Sequence, residues 1–78
     1  MNTYITIGGK TKSVKNLGWL LRNWTRVSSI RLEKRGGEAT LVANLREGGI
    51  FSSDFASFEV AKGFIDRPVF RGLPIEMV

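Results

Sequence analysis

Apolar and polar positions along this chain follow two different periods. Between Val14 and Val27 the apolar residues Val14, Leu17, Leu20, Leu21, Trp24 and Val27 recur every three or four positions and fall in one arc of a 3.6-residue wheel. The spacing predicts a single helix with Ser13 as its N-cap and an end near Val27. On either side of it the period is two. Tyr4-Ile5-Thr6-Ile7 is rich in β-branched residues and reads as a strand. Gly8-Gly9 permits a two-residue turn, and Lys10-Thr11-Lys12 is the short return strand. Further on, Ile30, Leu32 and Lys34 point one way while Arg31, Glu33 and Arg35 point the other. Ala39, Leu41, Ala43 and Leu45 alternate in the same manner with Thr40, Val42, Asn44 and Arg46.

Gly36-Gly37 and Gly48-Gly49 separate these alternating runs, and Ile50-Phe51-Ser52-Ser53 opens another. The expectation is a three-stranded antiparallel meander over residues 29–54. A short helix from Ser57 to Asp66 follows, capped by Asp54 or Ser57, with Phe58, Ala61 and Ile65 as its inner stripe and Phe64 beside them. Pro68 limits it, because a residue before proline avoids the helical region. The tail from Leu73 to Val78 alternates weakly and offers an edge strand, with Pro74 at its start. The fold class is therefore α+β. A small antiparallel sheet, hairpin plus meander, has one or two helices packed on one face, in the order β-β-α-β-β-β-α-(β). One domain spans residues 1–78. The other face of the sheet is expected in water, carrying Arg31, Glu33, Arg35, Thr40, Asn44 and Arg46 as a polar, mostly basic surface.

Charge gives this picture a direction. Twelve Lys and Arg stand against seven Asp and Glu, a net charge of +5. Residues 1–35 hold eight of the cations against Glu33 alone, a net of +7, whereas residues 36–78 carry a net of −2. Such asymmetry favours anionic partners, although it also serves solubility.

The chemistry of sites is thin. Neither histidine nor cysteine occurs, which removes the commonest general base, thiolate nucleophiles and structural zinc ligands. Asp54, Glu59 and Asp66 flank the second predicted helix, where acidic residues ordinarily serve the cap and the macrodipole. Gly9-Lys10-Thr11 ends like a phosphate loop, but Tyr4 occupies the position of the required first glycine and no helix follows directly. A non-enzyme without cofactor or metal is expected. No apolar run reaches the length of a membrane span and no secretory leader pattern precedes the first strand, so a cytoplasmic protein with no membrane partner is expected.

Two surfaces remain. With the apolar stripe turned to the core, Lys15, Trp19, Arg22 and Arg26 share the opposite side of the first helix at i, i+4, i+7 and i+11. An indole among three cations offers base stacking beside phosphate contacts, or a protein hot spot. The competing reading buries Trp19 beneath the C-terminal segment, against Val69, Phe70 or Leu73. Secondary candidates are Arg31, Arg35 and Arg46 on the sheet, and Arg67 and Arg71 in the tail. The tail either forms a binding loop or wraps back to close the core, and its apolar Val69, Phe70 and Leu73 favour closure.

No complete nucleic-acid motif is present: there is no paired-aromatic strand pattern and no GXXG clamp. In size and composition the chain resembles accessory proteins of bacteriophages and mobile elements. The residues point to a small basic binding protein whose partner is an anionic macromolecule, most simply nucleic acid. The alternative is an inhibitor or adaptor, anti-CRISPR-like for example, that binds an acidic surface of a host nucleic-acid-handling protein or nucleoprotein complex.

Overall fold

Gly8 and Gly9 both have positive φ, 60° and 78°, as a type I′ hairpin turn requires. They join β1 (Thr3–Ile7) to β2 (Lys10–Ser13). The protein, a computed structural model in which residues 2–78 are described, continues through α1 (Gly18–Arg22) and a 3-10 turn at Trp24–Arg26. Then come β3 (Val27–Arg35), β4 (Glu38–Leu45) and β5 (Ile50–Phe55). The chain closes with α2 (Phe58–Ile65), a 3-10 turn at Pro68–Phe70 and β6 (Ile75–Met77).

All six strands form one sheet in the order β2-β1-β5-β4-β3-β6. The meander is continuous, with Arg31 opposite Val42 and Val42 opposite Ser52. The hairpin joins it where β1 lies antiparallel to β5, Ile5 opposite Phe51. The fold is thus α+β, as the alternation predicts, with one departure. β6 runs parallel to β3, Ile30 opposite Ile75 and Leu32 opposite Met77, so the sheet is mixed rather than wholly antiparallel. The reason is connectivity. α2 crosses over β4 and β3 before the tail arrives, and a crossover returns the chain in its original direction.

One face of the sheet carries the core. Ile5, Ile30, Leu32, Leu41, Phe51 and Phe55 point to it, and Leu20, Ala61, Phe64, Ile65 and Phe70 cover them. Phe64 lies 6.0 Å from Phe55 and 5.5 Å from Phe70 between ring centroids. Phe70 is buried, and Val69 and Leu73 pack against the core, so the tail closes the core. Two hydroxyls lie within the apolar layer, Thr3 and Ser53, and they bond each other at 3.0 Å. Pairing them removes the penalty of a buried unsatisfied polar group.

α2 is capped by Ser57, whose hydroxyl accepts the Val60 N–H at 3.2 Å. Asp54, the other cap candidate, belongs to β5 and accepts a hydrogen bond from Thr40 at 2.9 Å. Ala61, Phe64 and Ile65 are the buried residues of α2, while Phe58 is half-buried under the Lys34 ammonium.

The long helix expected from Ser13 to Val27 does not form. Ser13 ends β2 opposite Tyr4, and Val27 begins β3. Between them α1 has five residues. Asn16 and Asn23 account for the difference. The Asn16 side chain accepts the Gly18 N–H at 2.7 Å, which starts the turn late. The Asn23 amide donates to Trp19 O at 2.7 Å, and its backbone N–H bonds Trp19 O and Leu20 O, which ends it early. The apolar stripe still largely faces inward. Leu20 and Val27 are buried, and Val14, Leu17 and Leu21 pack against the core. Trp24 is the exception.

Gly49 is a point of close approach. A Cβ there would lie 2.7 Å from Thr6 O and 2.8 Å from Ile7 Cγ1. Gly49→Ala is expected to destabilise by about 1–3 kcal/mol, because backbone must shift to admit it. Gly37 has open space around its missing side chain and no positive φ. Gly37→Ala should change stability by no more than about 0.5 kcal/mol. Urea unfolding of both variants measures the contrast.

Candidate functional site

The segment between β2 and β3 crosses the covered face of the sheet, and its residues define the main candidate. Trp19 rests on the central strand β5. Its ring stacks on Phe51 with centroids 5.7 Å apart and planes 10° from parallel. The Arg26 guanidinium lies over the same indole, 5.2 Å from its centroid. Arg26 is held in turn by Glu47 from the β4–β5 turn, its Nε donating to Oε1 at 2.8 Å. Trp19 is therefore a half-buried anchor, not the exposed platform that the helical wheel suggests. The ring it rests on is Phe51. Trp24 takes the opposite place to the one expected. It lies outside the core, with 43% of its surface exposed. Five residues apart on a continuous helix, the two indoles would diverge as the wheel says, but the break at Asn23 resets the phase.

An edge of Trp19 remains accessible in a groove of about 280 Å³ lined by Val14, Lys15, Asn16, Trp19 and Arg22. Gly18 shapes it. A Cβ at Gly18 would meet Asn16 Oδ1 at 2.7 Å and Arg22 Nη1 at 2.9 Å, so a larger residue would push the ends of these two side chains aside. Three of the four expected residues, Lys15, Trp19 and Arg22, thus share one groove, and Arg26 adjoins it across the indole. Neither Lys15 nor Arg22 makes an ion pair among the described residues. Lys10 and Lys12 lie on the edge strand β2, which leads into this segment. They pair with Ile7 and Ile5, which sets their side chains on the face that α1 covers. Wheel analysis missed them because they belong to a strand. The run of cations from Lys10 to Arg31 without any acid is the signal that finds them.

The secondary candidates scatter. On the open face, Arg31 Nε lies 3.2 Å from Glu33 Oε2 and 3.6 Å from Glu76 Oε1, and Arg35 lies 3.0 Å from Glu33. That face is charge-compensated rather than basic, contrary to expectation. Its middle is neutral, with Tyr4, Ser52 and Val42 in one row and Thr6, Ile50 and Asn44 in the next. Arg46 is exposed just past β4, its N–H donating to Arg26 O at 2.8 Å. The Arg67 guanidinium covers Phe64 at 5.3 Å, and Arg71 is exposed in the turn before β6. A larger groove, about 490 Å³, lies at the far end of the sheet among Asn2, Arg35, Glu38, Thr40 and Asp54. Two carboxylates against one guanidinium give it no preference for an anion.

Among the described residues no group of three or more His, Cys, Asp or Glu could hold a metal ion. No helix among them is long and apolar enough to cross a membrane. No family model, curated protein or solved structure matches the chain.

The two tryptophans give a direct test. Trp19→Ala should cost about 3 kcal/mol, because it strips an aromatic layer from Phe51 and leaves Arg26 without its support. Trp24→Ala should cost about 1 kcal/mol or less, as at other exposed positions. Thermal unfolding of the two variants, followed by near-ultraviolet circular dichroism, ranks them.

Proposed function

We propose that this protein acts by binding rather than catalysis, and that its ligand is the phosphate backbone of a nucleic acid, taken up along the groove beside α1. The observation that carries this reading is the grouping of Lys15 and Arg22, neither with a carboxylate partner among the described residues, around Asn16 and the edge of Trp19. Lys10 and Lys12 continue the positive track along β2, and no Asp or Glu precedes Glu33 in the chain. Phosphate contacts of this kind supply affinity without reading sequence. Trp24, exposed just past α1, adds a flat apolar surface on which an unpaired base can stack. Arg26 has a different part. Tied to Glu47 and lying over Trp19, it positions the indole and adds little free charge. A cytoplasmic location belongs to the same reading.

The test is fluorescence anisotropy with generic duplex and single-stranded oligonucleotides at about 50 mM salt, repeated as salt is raised. Binding should fall steeply with salt. Lys15→Gln combined with Arg22→Gln should weaken it roughly tenfold or more and lower the salt slope by about 2, one for each phosphate contact removed. Arg31→Gln, on the compensated face, should change neither. Absence of binding to every oligonucleotide overturns the proposal and favours the alternative, an inhibitor or adaptor docking on an acidic protein surface.

A further inference from the structure

β6 ends the sheet on the side opposite β2. Its inner edge is filled by β3. Ile30 N–H donates to Pro74 O at 2.9 Å, Val78 N–H to Leu32 O at 3.0 Å and Lys34 N–H to Val78 O at 3.1 Å. Along a strand, residues that bond one neighbour alternate with residues that face away from it. Pro74, Glu76 and Val78 therefore face β3, and the N–H and C=O groups of Ile75 and Met77 point outward past the last strand. Such an edge is a template for another strand. The two edges of this sheet differ in their protection. β2 carries Lys10 and Lys12, and edge lysines discourage pairing. β6 has no cation and leaves Ile75 39%, Met77 50% and Val78 61% exposed.

The side chains of β6 specify what fits. Ile75 and Met77 continue the rows of Ile30 and Leu32 on the covered face, and Glu76 continues the row of Arg31 on the open face. On its inner side β6 is thus matched by Ile30-Arg31-Leu32, an apolar, cationic, apolar triplet. Its outer side presents the same rows, and the Glu76 side chain is still 68% exposed beside Arg31. We infer that β6 accepts, by strand addition, an extended segment of a partner protein carrying an apolar–cationic–apolar triplet. A second copy of this chain fits less well. Its β6 would bring another Glu76 into the same carboxylate row, and its β2 would set Lys10 and Lys12 against Ile75 and Met77. β4 and β3 separate β6 from the β5 strand under Trp19, and the α1 groove shares no residue with β6, so both can be filled together.

The test adds a capped peptide copying residues 29–34 to the isotope-labelled full chain and follows its amide spectrum. The amides of residues 75–78 should shift, and exchange of the Ile75 and Met77 amide hydrogens should slow. Met77→Lys, at an exposed position, should weaken the peptide roughly tenfold. Glu76→Lys should weaken it about fivefold, and a peptide with glutamate in place of its arginine should regain that loss. Shifts centred on the α1 groove, or none at about 1 mM peptide, overturn the inference. So does a β6 spectrum that changes with protein concentration alone, which makes the occupant a second copy.

Discussion

The pairing of β1 with β5 is the constraint on which the rest of this structure depends. It attaches the N-terminal hairpin to the far side of the meander and leaves β2 at the edge. The chain must then travel from β2 to β3 over β1, β5 and β4, a distance of roughly 19 Å at the usual strand spacing. That journey carries Trp19 over β5 and sets it on Phe51. It also turns Lys15 and Arg22 away from the sheet, with Lys10 and Lys12 at its margin. The second crossover, α2, spans β4 and β3 on the same face. Both coverings serve one side, so the whole core is one layer deep and the opposite face stays in water.

Much of the fold was legible because its signals are local. Gly8-Gly9 takes the φ values that only glycine adopts cheaply, and the alternation from Ile30 to Leu45 is strict enough to set which side each residue faces. Ser57 declares the start of α2 through its own hydroxyl. The segment from Ser13 to Val27 misleads for a physical reason. Three- and four-residue spacing records which side chains face the core, and a strand end, a short helix and a 3-10 turn crossing one surface satisfy it as well as a continuous helix does. The direction of β6 was illegible because alternation is the same in parallel and antiparallel strands.

The candidate site was half legible. Lys15, Trp19 and Arg22 do come together, because all three lie within one turn of α1 or just before it. The roles of the indoles were not readable. Asn23 breaks the helix between them, and a phase change of one or two residues exchanges inside for outside. The charge of the open face was misjudged because it depends on register. Only the pairing of β3 with β6 reveals that Glu76 stands beside Arg31, where with Glu33 it cancels a cation that composition counts as free.

The hydrogen bond between Thr3 and Ser53 joins residues fifty positions apart, inside the β1–β5 pairing. Closing so long a loop is slow compared with forming a hairpin or a meander of neighbouring strands. During synthesis the N-terminal hairpin therefore emerges first yet has nothing to pair with until β5 has followed it. The meander, whose strands are adjacent in sequence, is favoured as the template, and the β1–β2 hairpin joins it only once β5 is in place.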